Sequence, residues 1–238
     1  MFRMAAPVFT RLEGRIPISR HDHVAVLYRG RDAAFRLASF LAEGLERGES
    51  CHYLAPRAFH AGMIDEVKKH AGNLDRFFAA RNLQLHEGPT EVEQLRGWTQ
   101  GVFEEAERDG ASAVRWLEEG TWHAPTGFPT RQFFENHALL NYQVKHYVCV
   151  ALCQYDLDRL DPPRLFSAIG VHRHLIINDI LIRDNPFYIP AERFIPLSPE
   201  ERERDLVNLF REAGFDVNKF LDAIVGFGRL QRSPTAEP

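Results

Sequence analysis

Five short apolar runs recur along this chain, each separated from the next by a stretch long enough for a helix. That alternation constrains the fold more than any other feature. The runs are HVAVLY (23–28), SCHYLA (50–55), LQLHEG (83–88), SAVRWLEEG (112–120) and YVCVALCQYD (147–156). Near-continuous apolar runs of this length, rich in β-branched and aromatic residues, read as strands covered on both faces. After the first run, Asp32 is an expected N-cap for a helix carrying Phe35, Ala38, Leu41 and Leu45 at helical spacing, with Gly48 as its stop. Residues 59–71, 91–109 and 130–145 predict further helices. Strands joined by crossovers of that length pair in parallel, so the fold class is α/β: a mostly parallel sheet with helices on both faces.

Beyond a short helix at 162–171, HLIINDILI and FYIP lie a few residues apart and predict an antiparallel hairpin at the sheet edge. Ser198, Pro199 and two glutamates form a helix start, with Leu206, Leu209 and Phe210 on one face and Gly214 as the stop. A second apolar-faced segment uses Val217, Phe220, Leu221 and Ile224. The expected organisation is a flexible arm over 1–20, one domain over 21–195 and a helical extension over 196–238.

A 238-residue chain is long enough for one such domain with a sizeable core. The formal charge of −4 and the interleaving of arginines with acids, as in ERERD at 201–205, argue against direct binding to nucleic acid. No apolar run approaches the ~20 residues of a membrane span. Three cysteines and no export signal make a reducing cytoplasm the expected compartment.

Cys149 and Cys153 share a strand face, but four residues at about 3.3 Å each put them about 13 Å apart. That distance rules out a disulfide between them and a shared zinc ion, so both read as core packing. The histidine pairs HDH (21–23) and HRH (172–174) can each point one way on a strand, but neither brings a clear third ligand nearby. HExxH, GxSxG, GxGxxG and CxxC are absent, and no metal or cofactor is expected.

In an open parallel sheet, ligands settle beyond the carboxyl ends of the strands. The residues expected there are Tyr28, Arg29 and Arg31 after the first strand, Glu119 and Trp122 after the fourth, and Gln154, Tyr155 and Asp156 after the fifth. An aromatic lining with a few charges suits a small organic ligand. Glu118, Glu119 and Asp156 are the candidate acids and bases for an enzyme. Adjacent glutamates on a strand face opposite ways, however, and so make a poor catalytic pair.

FLAEGLERGESCHYLAP (40–56) resembles the segment after the phosphate loop in KaiC-like members of the RecA family. Where such an ATPase carries GxxxxGK[ST], this chain reads YRGRDAAFR, without the glycine cradle or the lysine that holds phosphates. The glutamates that close the second strand of those ATPases are replaced by LAPRAF. As a whole the pattern resembles the MEDS (methanogen/methylotroph, DcmR sensory) domain. The resemblance is carried by HVAVLY, GLERGE (44–49), LLNYQVKHYVCVALCQYD (139–156), His172 and NPFYIP (185–190), and it spans residues 20–195. The chain departs from the family where His172 is followed by Arg173 in place of the usual proline.

The resemblance implies a RecA-like fold without nucleotide chemistry: a non-catalytic sensor of small hydrocarbon derivatives in signalling or transcriptional regulation. With no output domain in this chain, the signal would pass to a protein partner; self-association is left open. The alternative is a nucleotide-binding relative in which Arg29 and Arg31 replace the missing lysine.

Overall fold

The computed structural model describes residues 7–89, 91–212, 214, 216 and 219. A two-stranded hairpin, β1 (Val8–Leu12) and β2 (Ile16–Ser19), opens the chain. β3 (His23–Tyr28) leads through a 3-10 turn at Arg31–Phe35 into α1 (Ala38–Glu46) and β4 (Ser50–Leu54). Then come α2 (Arg57–Ala71), α3 (Asp75–Ala79), β5 (Leu83–His86), α4 (Val92–Arg108) and β6 (Val114–Glu119). α5 (His123–Thr126), α6 (Thr130–His146), β7 (Cys149–Asp156) and α7 (Pro162–Val171) follow. β8 (His174–Ile177), β9 (Ile180–Ile182), α8 (Ala191–Phe194) and α9 (Pro199–Glu212) complete it.

Seven strands form one sheet in the order β5-β4-β6-β7-β3-β8-β9, parallel throughout except for β9 against β8. The connections from β3 to β4 and from β4 to β5 move towards one edge and cover one face with α1, α2 and α3. The later connections move back across the sheet and cover the other face with α4, α6 and α7. A single crossover hand requires this division, and it splits the core into two clusters, one on each face. All eight residues of β7 are buried, as a central strand between two helical layers must be.

Three details differ from the sequence reading. The arm expected over residues 1–20 gives way from Val8 to a hairpin whose Leu12, Ile16 and Ile18 are buried against the α1 face. Its apolar residues are too few and too broken for a strand pattern to stand out. Asp32 does not cap α1; it lies in the 3-10 turn, and the α-helix restarts at Ala38. The edge hairpin lies wholly within HLIINDILI, where Asn178 and Asp179, both at positive φ, make a two-residue turn between Ile177 and Ile180. That is the backbone of a type I′ turn, and it leaves FYIP as irregular chain.

The C-terminal helix begins as its sequence predicts. Ser198 Oγ accepts from Glu201 N at 3.2 Å and Glu201 Oε2 accepts from Ser198 N at 2.8 Å, a reciprocal capping box. α9 packs back on the domain: Leu206 and Phe210 are fully buried, and Phe210 stacks on Phe187 with ring centroids 3.7 Å apart. Val217, Phe220, Leu221 and Ile224 lie outside the described residues.

GLERGE has a structural meaning. Gly44 lets α1 approach the sheet closely, since a Cβ there would stand 2.5 Å from Arg115 Cδ and 2.7 Å from Cys51 Sγ. Gly48 turns the chain at φ 70°, and Glu49 then accepts from Arg115 Nε in the core. The Arg115 guanidinium is fully buried and also donates to Phe40 O at 2.6 Å and Glu43 Oε2 at 3.1 Å. Breaking such a pair from one side strands a charge in the interior. Glu49→Gln should therefore lower stability by about 3 to 5 kcal/mol in urea denaturation. Gly44→Ala gains about 1 kcal/mol of helix propensity but loses about 1 to 3 to overpacking, and should come out destabilising. An unchanged urea midpoint in both variants would refute this account of the α1 anchor.

Candidate functional site

A cavity of about 340 Å³ opens at the carboxyl ends of β3, β7 and β8, under the β1–β2 hairpin and beside the 3-10 turn. Leu12, Ile16, Val26, Leu37, Leu157 and Ile176 give it apolar walls, and Tyr28, Arg29 and Gln154 add polar groups. Gln154 is buried; its Nε2 donates to Ala34 O at 3.0 Å, while its Oε1 has no partner among the described residues. A buried acceptor without a donor costs roughly 1 to 3 kcal/mol, so this one is suited to a ligand's hydroxyl or amide.

Charge at the mouth is already paired. Arg29 Nη1 donates to Asp158 Oδ1 at 2.7 Å. Arg36 forks onto Glu13 at 2.8 and 2.9 Å and reaches Asp179 at 3.0 Å. The hydrogen bond from Arg36 holds the Glu13 carboxyl below its ordinary range, and the same bond raises Arg36. These links tie the β1–β2 turn to the β8–β9 turn across the opening.

The expected site residues divide between the two faces of the sheet. Tyr28, Arg29 and Gln154 line the cavity. Glu119 stands behind it on the same face, accepting from Tyr28 Oη at 3.0 Å and from the Thr121 hydroxyl. Burial raises the Glu119 carboxyl and the Tyr28 phenol alike. Asp156 pairs in register with Tyr28 and accepts from Asp158 N at 3.0 Å, which shapes the loop after β7. Trp122 and Tyr155 are fully buried in the core of the opposite face and are not part of the cavity lining. Arg31 sits in the 3-10 turn, and its side chain lies outside the described part of the structure.

Glu118 and Glu119 do point to opposite faces, as strand geometry requires. Glu118 accepts from both indoles nearby, Trp122 Nε1 at 2.7 Å and Trp116 Nε1 at 3.0 Å. Around it lies a polar cluster the sequence did not reveal: His23 from β3, His137 from α6, Cys153 from β7 and His172 after α7, all essentially inaccessible to solvent. His23, Cys153 and His172 each bring one ligand atom to within 4.8 Å of the others, as do Glu118, His137 and Cys153. These residues come from five separate elements, so no spacing motif could announce them. The nearest signal was a histidine opening an otherwise apolar strand, with Cys153 and HRH farther along.

Burial pushes His23 down to about 3 and His172 well below its ordinary value, with the neighbouring imidazoles adding to the effect. Burial also raises the Cys153 thiol well above its ordinary value, and the Glu118 charge adds to this. For Glu118, burial works upward, but His137 and the indole N–H groups outweigh it and hold the carboxyl low.

Comparison with known proteins adds one finding. The family model described as MEDS, "MEthanogen/methylotroph, DcmR Sensory domain", matches residues 22–173, well over half of the chain. No curated protein matches. The matched span holds β3 to β7, α7 and every member of the buried cluster, whereas the β1–β2 hairpin and β8, which complete the cavity, lie outside it. Among the described residues no helix is long and apolar enough to cross a membrane.

The buried imidazoles set a pH dependence. His23 and His52 are held at about 3 and His123 at about 4, burial being the main cause in each, and His172 is also held low. In the unfolded chain they titrate near 6.5. Between about pH 6.5 and 4 the unfolded chain thus binds protons that the folded chain refuses, so stability rises with pH across that window and falls on acidification. Each group adds up to about 1.4 kcal/mol per pH unit. Urea midpoints should be flat above pH 7 and should drop steeply from pH 6.5 to 4.5; equal midpoints at pH 7 and 5 would contradict the burial of neutral imidazoles.

Proposed function

We propose that this chain, which belongs to the MEDS family of sensory domains, recognises a small organic molecule in the cavity at the carboxyl ends of β3, β7 and β8 and reports its presence to a protein partner. The observation that carries the reading is the unpaired Gln154 Oε1 beside a cavity of about 340 Å³ whose inner walls are apolar and whose mouth carries paired charges. Aliphatic inner walls beside one unsatisfied acceptor favour a short-chain hydrocarbon derivative carrying a single donor group. The domain acts without chemistry on its ligand: the two glutamates at the end of β6 are separated by the sheet, and Glu119 is committed to Tyr28 and Thr121.

Transmission follows from the packing. A ligand that binds the closed arrangement of the hairpin better than the open one shifts the balance between them, and the surface beside α1 changes with it. The regulatory output, in signal transduction or transcription, then belongs to the partner. The alternative of a degenerate nucleotide site, on a RecA/KaiC-like scaffold, is weaker. The cationic groups at the mouth are bound to carboxylates, and Glu13 and Asp179 stand where a triphosphate's charge would have to lie.

The test is a thermal-shift and calorimetric screen of short-chain alcohols, amides and halogenated hydrocarbons, with ATP and magnesium as a separate arm. A binder from the organic set should lose about 1 to 3 kcal/mol of affinity in Gln154→Leu and should be excluded by Ala33→Trp, which fills the cavity. Micromolar ATP binding, with no response to any organic probe, would instead establish the nucleotide reading.

A further inference from the structure

The polar cluster on the α6 and α7 face is built like a metal centre. Its histidines are each held by the ring nitrogen that faces away from the cluster. His172 Nδ1 donates to Ala168 O at 2.7 Å, and His137 Nδ1 donates to Phe133 O at 3.0 Å. His23 Nδ1 lies 3.1 Å from Asn141 Oδ1. The Asn141 amide cannot be turned round, because its Nδ2 already donates to His137 O, Ala138 O and Val171 O. Each imidazole therefore holds a proton on Nδ1, and His23 and His172, which burial keeps neutral, leave the Nε2 lone pair for the centre. That is how backbone carbonyls and side-chain amides orient metal-binding histidines.

What those lone pairs meet is incomplete. His172 Nε2 and His137 Nε2 have no hydrogen-bond partner among the described residues, although both residues are about 99 per cent buried or more. Glu118 Oε1 stands 3.4 Å from His137 Nε2 without hydrogen-bond geometry, and the Tyr155 hydroxyl nearby is unpartnered too. A folded core does not leave several such atoms facing one another without compensation.

The separation of Cys153 and His23 fits a shared ion. Zinc–sulfur and zinc–nitrogen bonds of about 2.3 and 2.0 to 2.1 Å at a tetrahedral angle separate their two ligand atoms by about 3.5 Å. Cys153 Sγ and His23 Nε2 are 3.4 Å apart. Charge fits as well: a thiolate at Cys153 and the buried Glu118 carboxylate together balance a dication. One thiolate with imidazoles is a borderline-soft donor set that suits zinc and its first-row neighbours.

We propose that His23 Nε2, His172 Nε2 and Cys153 Sγ bind a divalent transition-metal ion, zinc by its ligand chemistry, with a fourth position on the side of His137 and Glu118. Cys153 belongs to both ligand groups, which places the fourth position there. Binding displaces the Cys153 proton to solvent, and the buried site loads as the chain folds. The site lies on the opposite face of the sheet from the cavity, so its test is independent of the ligand reading.

The full chain is purified, stripped with a chelator and titrated with zinc and with cobalt(II). One ion per chain should bind, raising the melting temperature, and cobalt should show a thiolate charge-transfer band together with the ligand-field bands of a tetrahedral ion. Cys153→Ser should remove the charge-transfer band and weaken zinc binding by about a hundredfold. Because that variant can fail to fold, the Cys51→Ala, Cys149→Ala double variant provides the second measurement: with Cys153 as its one remaining cysteine it should keep the band unchanged. No stoichiometric binding to the native chain, metal bound without a thiolate band, or a band that survives Cys153→Ser or disappears from a folded double variant would each overturn the proposal.

Discussion

The parallel pairing of β3 with β7 is the constraint on which the rest of this structure depends. Its register sets Ala25 beside Cys153, Val26 beside Gln154 and Tyr28 beside Asp156. Because side chains alternate along a strand, Val26, Tyr28 and Gln154 face the α1 layer while His23, Cys153 and Tyr155 face α6 and α7. A slip of one residue would exchange the two sets and abolish both the cavity and the histidine cluster. A cavity and a histidine cluster of unlike chemistry are thus back to back on one pair of strands, separated only by the sheet.

Polar groups in the core are handled in two different ways. Arg115 is fully enclosed, yet it is neutralised by Glu49 and Glu43, and its role is to fasten α1 to β6. Fixed charge pairing of this kind specifies one arrangement and contributes little if exchanged as a unit for apolar residues. The histidines around Cys153 differ: their outward nitrogens are hydrogen-bonded, while His137 Nε2 and His172 Nε2 have no partner among the described residues. Asymmetry of that kind marks a site kept for something that arrives from outside the chain.

The sheet was legible because each buried strand is a near-continuous apolar run and each crossover is a helix with its own periodicity. Where pattern was weak, reading failed: the β1–β2 hairpin has only a few inward residues, and Asp32 has the chemistry of a cap but sits in a 3-10 turn set by Gly30 at φ 77°. Of the site, the strand-end rule placed Tyr28, Arg29 and Gln154 at the cavity. Tyr155 turns into the far core because a strand's last residues still alternate, and Trp122, three residues beyond β6, packs into that same core. Cys153 was read as packing on the correct ground that Cys149 is too distant to share an ion. Its actual neighbours, His23 and His172, come from elsewhere in the chain and could be found only after folding.

The ties across the cavity mouth have a further consequence. Glu13, Arg36, Asp179 and Arg15 are partly or largely solvent-facing, unlike the Arg115 pair. Dissolved electrolyte screens such charges over about 8 to 10 Å and hardly reaches enclosed ones. Ionic strength therefore acts as a selective lever, loosening the lashing between the two turns while leaving the sheet beneath at full strength. Exchange of an occupant should quicken in brine long before the domain itself begins to melt.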